Sequence, residues 1–183
     1  MDAPTLRAIQ APLKQRYKAE AEAALITLRA QGTLDADKIA CKLETGRAMA
    51  IAGLHPAGGG SGLELCSGDM LLEALVACAG VTMKAVATAL DIPLRQGVVK
   101  AEGDLDMRGT LGISKDAPVG FRAIRLSFEL DTDVDQEKID QLLKLTERYC
   151  VVFQTLNHRP ELSIVSRIQS GDGSDSTANA KSA

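Results

Sequence analysis

The stretch that decides the fold reads Cys66-Ser67-Gly68-Asp69-Met70-Leu71-Leu72-Glu73-Ala74-Leu75-Val76-Ala77-Cys78-Ala79-Gly80-Val81-Thr82-Met83-Lys84-Ala85-Val86-Ala87-Thr88-Ala89-Leu90-Asp91. Ala, Leu and Met dominate it and no proline interrupts it, so helix is the favoured state. Ser67 and Asp69 are placed to satisfy free N–H groups at its start, and a carboxylate suits that end of the dipole. Between the ends only Glu73 and Lys84 are charged. At about 100° per residue they fall nearly in line, with Ala77, Gly80 and Thr88 close by, as a narrow stripe of small or polar residues. The rest of the circumference is apolar. Such a helix, short for a membrane span and carrying charge, reads as a buried core helix.

Cys78 lies at its centre. The residues three, four and seven positions away are Leu71, Ala74, Leu75, Val81, Thr82 and Ala85, so the thiol faces apolar neighbours and not the Glu73–Lys84 stripe. Two readings stand side by side: a small core hydrophobe, as most buried cysteines are, or a reactive thiol in an apolar pocket. The helix alone favours the first.

The whole chain sets the frame. A chain of 183 residues is one domain by default and can bury a proper core. The formal charge of −3 and the pI of about 5.4 argue against nucleic acid or an anionic membrane surface as partner. Met1-Asp2-Ala3-Pro4 does not open a signal peptide, and a cytoplasmic location is expected. The four cysteines, Cys41, Cys66, Cys78 and Cys150, form no CxxC and no zinc spacing. In a reducing compartment they are free thiols or a redox pair. Neither a metal nor a cofactor is implied. The glycine-rich loop from His55 to Gly62 fits no phosphate-binding spacing, and His55 has no second ligand or base beside it.

Outward from the central helix, the chain divides into an N-terminal helical arm (1–21), a domain (22–169) and a tail (170–183). The arm, interrupted by Pro12, is a mostly solvated segment, suited to docking on a partner. Alternation predicts strands at 26–30, 39–44 and 48–53 before the helix, and at 99–107 and 123–130 after it. In the first of the later pair, Glu102, Asp104 and Asp106 fall on the wet face. Cys41 shares the core face of its strand with Ile39 and Leu43. Thr132-Asp133-Val134-Asp135 approximates a capping box that opens a second helix. Its apolar positions run through Ile139, Leu142, Leu143, Tyr149, Cys150 and Phe153, which puts Cys150 on the buried side. Leu162, Ile164 and Ile168 make a closing strand, and the polar composition from Ser170 onward predicts disorder. The sum is an α+β domain: an antiparallel sheet with a long buried central helix and a second helix on one side. The central helix has more apolar surface than this sheet can cover, which predicts a self-complementary homodimer with close approach at Gly80.

The strand–helix order, the run from Ser67 to Cys78 and the second cysteine in Thr146-Glu147-Arg148-Tyr149-Cys150 together resemble the OsmC/Ohr family of osmotically inducible and organic-hydroperoxide-resistance proteins. The resemblance covers roughly residues 22–169. It implies the OsmC-like fold as an intertwined homodimer with active sites at the interface, and reduction of organic hydroperoxides at the expense of a thiol reductant. By match, Cys78 is peroxidatic and Cys150 resolving. The family places an acidic residue ten positions before the first cysteine, paired with an arginine from the strand region. Gly68 holds that position here, Asp69 is the nearest acid, and Arg47 is the best basic candidate, with Arg148 second. Asp69 also has the simpler role of helix cap: from a regular helix it lies about 13 Å along from Cys78 and about 180° around it. The family's proline after the second cysteine is Val151. The competing classes are a non-catalytic dimer of this fold that binds a small apolar ligand between the central helices, and a redox sensor using the same two thiols.

Overall fold

A computed structural model describes residues 2–19, 32–34, 40–44, 49–112, 114–169 and 175–181. In chain order the elements are α1 (Ala3–Ala19), β1 (Gly32–Leu34), β2 (Ala40–Glu44), β3 (Met49–Gly53), a 3₁₀ turn (Pro56–Gly58), β4 (Leu65–Cys66), α2 (Ser67–Ala89), β5 (Gln96–Leu105), α3 (Met107–Thr110), β6 (Phe121–Asp131), α4 (Gln136–Tyr149), α5 (Val151–Asn157), β7 (Ser163–Gln169) and β8 (Asp175–Lys181).

The long helix expected from the Ala, Leu and Met content is α2, 23 residues in length. Leu75, Ala79, Met83 and Ala87 recur every fourth position and are buried on one face. The helix ends where Asp91 takes a left-handed conformation (φ 55°) and the Ile92 N–H returns to the Ala87 carbonyl at 2.9 Å. That return satisfies a terminal carbonyl, and Pro93 prevents further helix.

The buried face of α2 lies against β5 and α4. β5 and β6 pair antiparallel from Gln96↔Asp131 to Leu105↔Phe121. Strict alternation sends Val99, Ala101, Ile124, Leu126 and Phe128 into the core with Leu75, Ala79 and Cys150. The outward residues form cross-strand ion pairs, Lys100 with Glu129 and Arg125 with Glu102 and Asp104. These favour the register without contributing much stability in water. On the far half of α2, Met83, Ala87 and Ile92 close around Leu142 of α4, which is completely buried.

Several expectations need correction. Not all strands are antiparallel: β4 joins β3 in parallel, with Ala52 opposite Leu65. Among the described residues the strands form three separate hydrogen-bonded sheets, β1-β2-β3-β4, β5-β6 and β7-β8. The strand expected at 26–30 lies outside the described residues. β5 stops at Leu105, because Asp106 accepts from the Arg108 N–H and caps the short α3. Asp106 is therefore not on a wet face. Its side chain is largely covered, and the Arg108 guanidinium at 2.6 Å holds its carboxyl down at about 2.

The second helix is capped by Asp135, whose carboxylate accepts from the Lys138 N–H at 2.9 Å. Thr132 instead donates to the Pro93 carbonyl at 2.6 Å. Pro12 does not interrupt α1, which continues through it and contacts α2 of the same chain. A side chain at Gly80 would meet Val99 of β5 at 3.7 Å. Residues 175–181, expected to be disordered, pair along β7 as β8. Finally, 23 residues at 1.5 Å each give about 34 Å, so α2 is long and apolar enough to cross a membrane. What identifies it as a core helix is its buried face, not its length.

Candidate active site

Cys78 sits at the border of two stripes on α2. One is the buried row already described. The other runs Leu71, Ala74, Cys78, Val81, at spacings of three and four, and is largely uncovered: Val81 is 72% exposed. Cys78 itself is half-buried and packs against the cluster of Leu75, Ala79 and Cys150.

Cys150 reaches that cluster through a break in the helix. The sequence reads as one helix to Phe153, but α4 ends at Tyr149. Cys150 adopts extended geometry (φ −72°, ψ 106°), closing α4 and opening α5. Its N–H still bonds to the Thr146 carbonyl at 2.9 Å, while its own carbonyl accepts from the Gln154 N–H at 2.9 Å. The kink carries the first amides of α5 to the sulfur of Cys78. The family's proline suits this first helical position. Val151 there keeps an N–H that proline lacks.

The two thiols differ in acidity. Burial pushes Cys78 up, but the Val152 amide, the Cys150 thiol, the Val151 amide and the Thr82 hydroxyl together favour the charged sulfur and bring the thiol below its ordinary value. Burial also pushes Cys150 up, and hydrogen bonding to Cys78 adds to this, so its thiol ends above the ordinary range. In the resulting arrangement a Cys78 thiolate accepts from the Cys150 S–H. Both thiols are free.

Of the other expected site residues that are described, Asp69 is not brought to this place. Asp69 is exposed in the first turn of α2, without a partner among the described residues. Cys66 takes the N-cap position and no side chain caps the helix, so neither Ser67 nor Asp69 has the capping role expected of it. Asp69 is also not among the groups acting on Cys78. Arg47 lies outside the described residues. Arg148 stacks over the Tyr149 ring at 5.6 Å. His55 accepts from the Ala57 N–H at 3.0 Å and caps the 3₁₀ turn, a local structural role.

What the sequence missed is the pair of amides from Val151 and Val152, since nothing in Tyr149-Cys150-Val151 marks a helix break. Thr82 was legible: it stands one helical turn beyond Cys78. Replacing Thr82 by valine keeps the shape and removes one donor to the thiolate. The pH midpoint for alkylation of Cys78 is expected to move upward, so that at neutral pH the variant reacts more slowly. An unchanged midpoint by rate measurement across pH, with the fold intact, would exclude Thr82 from the site.

A cavity of about 240 Å³ lies beside Cys150, lined by residues of β6, α4 and α5 and by Ala79.

Comparison with known proteins agrees with this architecture. The family described as OsmC-like protein matches residues 58–165, a span holding α2, both cysteines and the strands between them. An OsmC-like protein from Mycoplasma pneumoniae superposes with a TM-score of 0.61 at 17% identity, covering 73% of this chain and 89% of that one. An organic hydroperoxide resistance protein from Elizabethkingia anophelis gives 0.60 at 14% identity, covering 74% and 91%. An organic hydroperoxide resistance protein OsmC from Legionella pneumophila gives 0.56 at 18% identity, covering 73% and 90%. At such identities the likeness is one of fold. Comparison with curated protein sequences finds no match. A matched family that spans more than half of the chain, on a fold shared with its solved members, means that this chain belongs to the OsmC-like family.

Proposed function

We propose that the protein is a thiol-dependent peroxidase that reduces organic hydroperoxides with Cys78 and Cys150. The observation that carries the reading is the meeting of two free thiols from distant parts of the chain: Cys78 of α2 packs against Cys150 at the break between α4 and α5. The Cys78 thiolate attacks the outer peroxide oxygen. The S–O bond forms, the O–O bond breaks, and the alkoxide leaves with a proton as the alcohol. Cys150, relieved of its bond to a thiolate, then attacks the sulfenic acid, a disulfide forms and water leaves. An external dithiol restores both thiols. The balance is one hydroperoxide and two thiols giving one alcohol, one water and one disulfide. The apolar surroundings of Cys78 suit an organic hydroperoxide over hydrogen peroxide, and a cytoplasmic setting would keep the resting thiols reduced.

The working form is a homodimer. Leu71, Ala74 and Val81 flank Cys78 on a stripe that one chain leaves open, and a second copy laid along it would both bury the stripe and roof the sulfur. Light scattering at micromolar concentration is expected to give twice the 19.3 kDa chain mass; a single-chain mass alone would remove this part.

A second reading, a redox sensor or non-catalytic binding dimer, is favoured by one observation: among the described residues no guanidinium acts on Cys78. Turnover of cumene hydroperoxide with a dithiol reductant separates the two. Sustained consumption supports the peroxidase; a single stoichiometric oxidation supports the sensor; none at all leaves the binding dimer.

A further inference from the structure

We propose that Gln154 is a positioning residue for the thiol pair: its side-chain amide bridges the break between α4 and α5 and holds the first turn of α5, with Cys150 before it, against Cys78. The proposal deepens the reading of Cys78 and Cys150 as a redox pair and rests on it.

A helix that stops leaves its last carbonyls without the N–H groups that would have followed. In an unbroken helix the Glu147 carbonyl would accept from the residue four positions on, which is Val151. Here the Gln154 side chain donates to that carbonyl, with Nε2 at 2.8 Å from the oxygen. The backbone N–H of the same residue donates to the Cys150 carbonyl at 2.9 Å. Gln154 therefore grips both sides of the break: the last turn of α4 through its side chain, and the residue at the break through its main chain.

The consequence for the site is an exchange of donors. With the Glu147 carbonyl taken by Gln154, the Val151 N–H is left for the Cys78 sulfur, and the Val152 N–H joins it there. Val152 and Phe153 pack against the cluster of Leu75, Ala79 and Cys150, so the turn is held by apolar packing and by the two hydrogen bonds of Gln154. Without the side-chain donor, the Glu147 carbonyl loses its partner in the broken geometry. The arrangement that satisfies it again within the chain is a continued α4, with the Val151 N–H turned back to that carbonyl and away from the sulfur.

The test is Gln154→Met, which keeps an unbranched side chain and good helix propensity but removes the donor. Gln154→Leu is the second variant. The position is half-buried, and both variants are expected to fold. In the reduced full-length chain, alkylation of Cys78 by iodoacetamide is followed across pH by peptide mass spectrometry. The midpoint is expected to move upward in both variants, with reaction at neutral pH slowed about fivefold, the worth of one net hydrogen bond. The titratable groups on the elements around Cys78 are the same in every variant: Glu73 and Lys84 of α2, Glu147 and Arg148 of α4, and Cys150 at the break. The charges of β5 and β6 pair on the outer face of their sheet. Thr155→Ala, at an exposed position of the same helix, is expected to leave the midpoint in place. A folded Gln154→Met with an unchanged midpoint overturns the proposal, even where its melting temperature falls, because packing alone would then hold the turn. An equal shift in Thr155→Ala overturns it as well. No peroxide enters the measurement, so this test can fail while the peroxidase reading stands, and the reverse.

Discussion

Peroxide consumption is expected to vanish in Cys78→Ser and to stop after a single event in Cys150→Ser. Serine at position 78 has no accessible anion at neutral pH, and the amides of Val151 and Val152 that favour a thiolate there cannot lower an alkoxide into range. No other thiol replaces it. Cys150 is 1% exposed and its acidity is suppressed by burial. In Cys150→Ser the nucleophile is intact, so one hydroperoxide reacts and Cys78 becomes a sulfenic acid. With no resolving thiol it stays there or proceeds to the sulfinic acid, unless a small thiol intervenes. The wild-type chain, given one equivalent of organic hydroperoxide, is expected to lose two hydrogens and gain one Cys78–Cys150 disulfide. Cys41→Ser and Cys66→Ser are expected to behave as wild type. Intact-mass and peptide mass spectrometry reads every state. If both thiols remain reduced under excess hydroperoxide, the peroxidase reading is wrong.

The second large effect is on stability. Leu142→Ala is expected to cost about 2–5 kcal/mol, the range for truncating a fully buried leucine. Leu142 is 0% exposed and is surrounded by Met83, Ala87 and Ile92, with Val86, Leu94, Phe128 and Leu143 packed behind them. It is the point at which α4 is fixed to the C-terminal half of α2. A cavity there has rigid walls on every side, so collapse can recover little. In a domain of this size each kcal/mol moves the melting temperature by about 2–4 °C. Chemical denaturation at one fixed protein concentration reads the change without interference from assembly. Lys144→Ala, on the exposed side of the same helix, is the control, expected within about 0.5 kcal/mol of wild type. Equal effects of the two substitutions would mean that α4 is not held through Leu142.

By itself the sequence determined the elements and the faces of most of them. Periodicity is a local property, so Leu75, Ala79, Met83 and Ala87 announce a helix face, and the alternation from Ile124 to Leu130 announces a strand with one side in the core. It also determined that Cys78 sits in apolar company and that Cys150 turns inward, because both follow from spacing within one element. What lies opposite those faces is not local. Whether α4 runs on to Phe153 or kinks at Cys150 carries no Gly or Pro signal; the kink coincides with the packing of α5 onto α2. That kink brings the amides of Val151 and Val152 to Cys78, where with the Cys150 thiol and the Thr82 hydroxyl they outweigh burial and hold the thiol below its ordinary value. The tertiary structure also makes Asp135 the cap of α4 and turns the Thr132 hydroxyl to the Pro93 carbonyl instead. The acidity of such a thiol depends on which dipoles reach its sulfur, and most of those come from a segment more than seventy residues away, so only the tertiary structure could decide it.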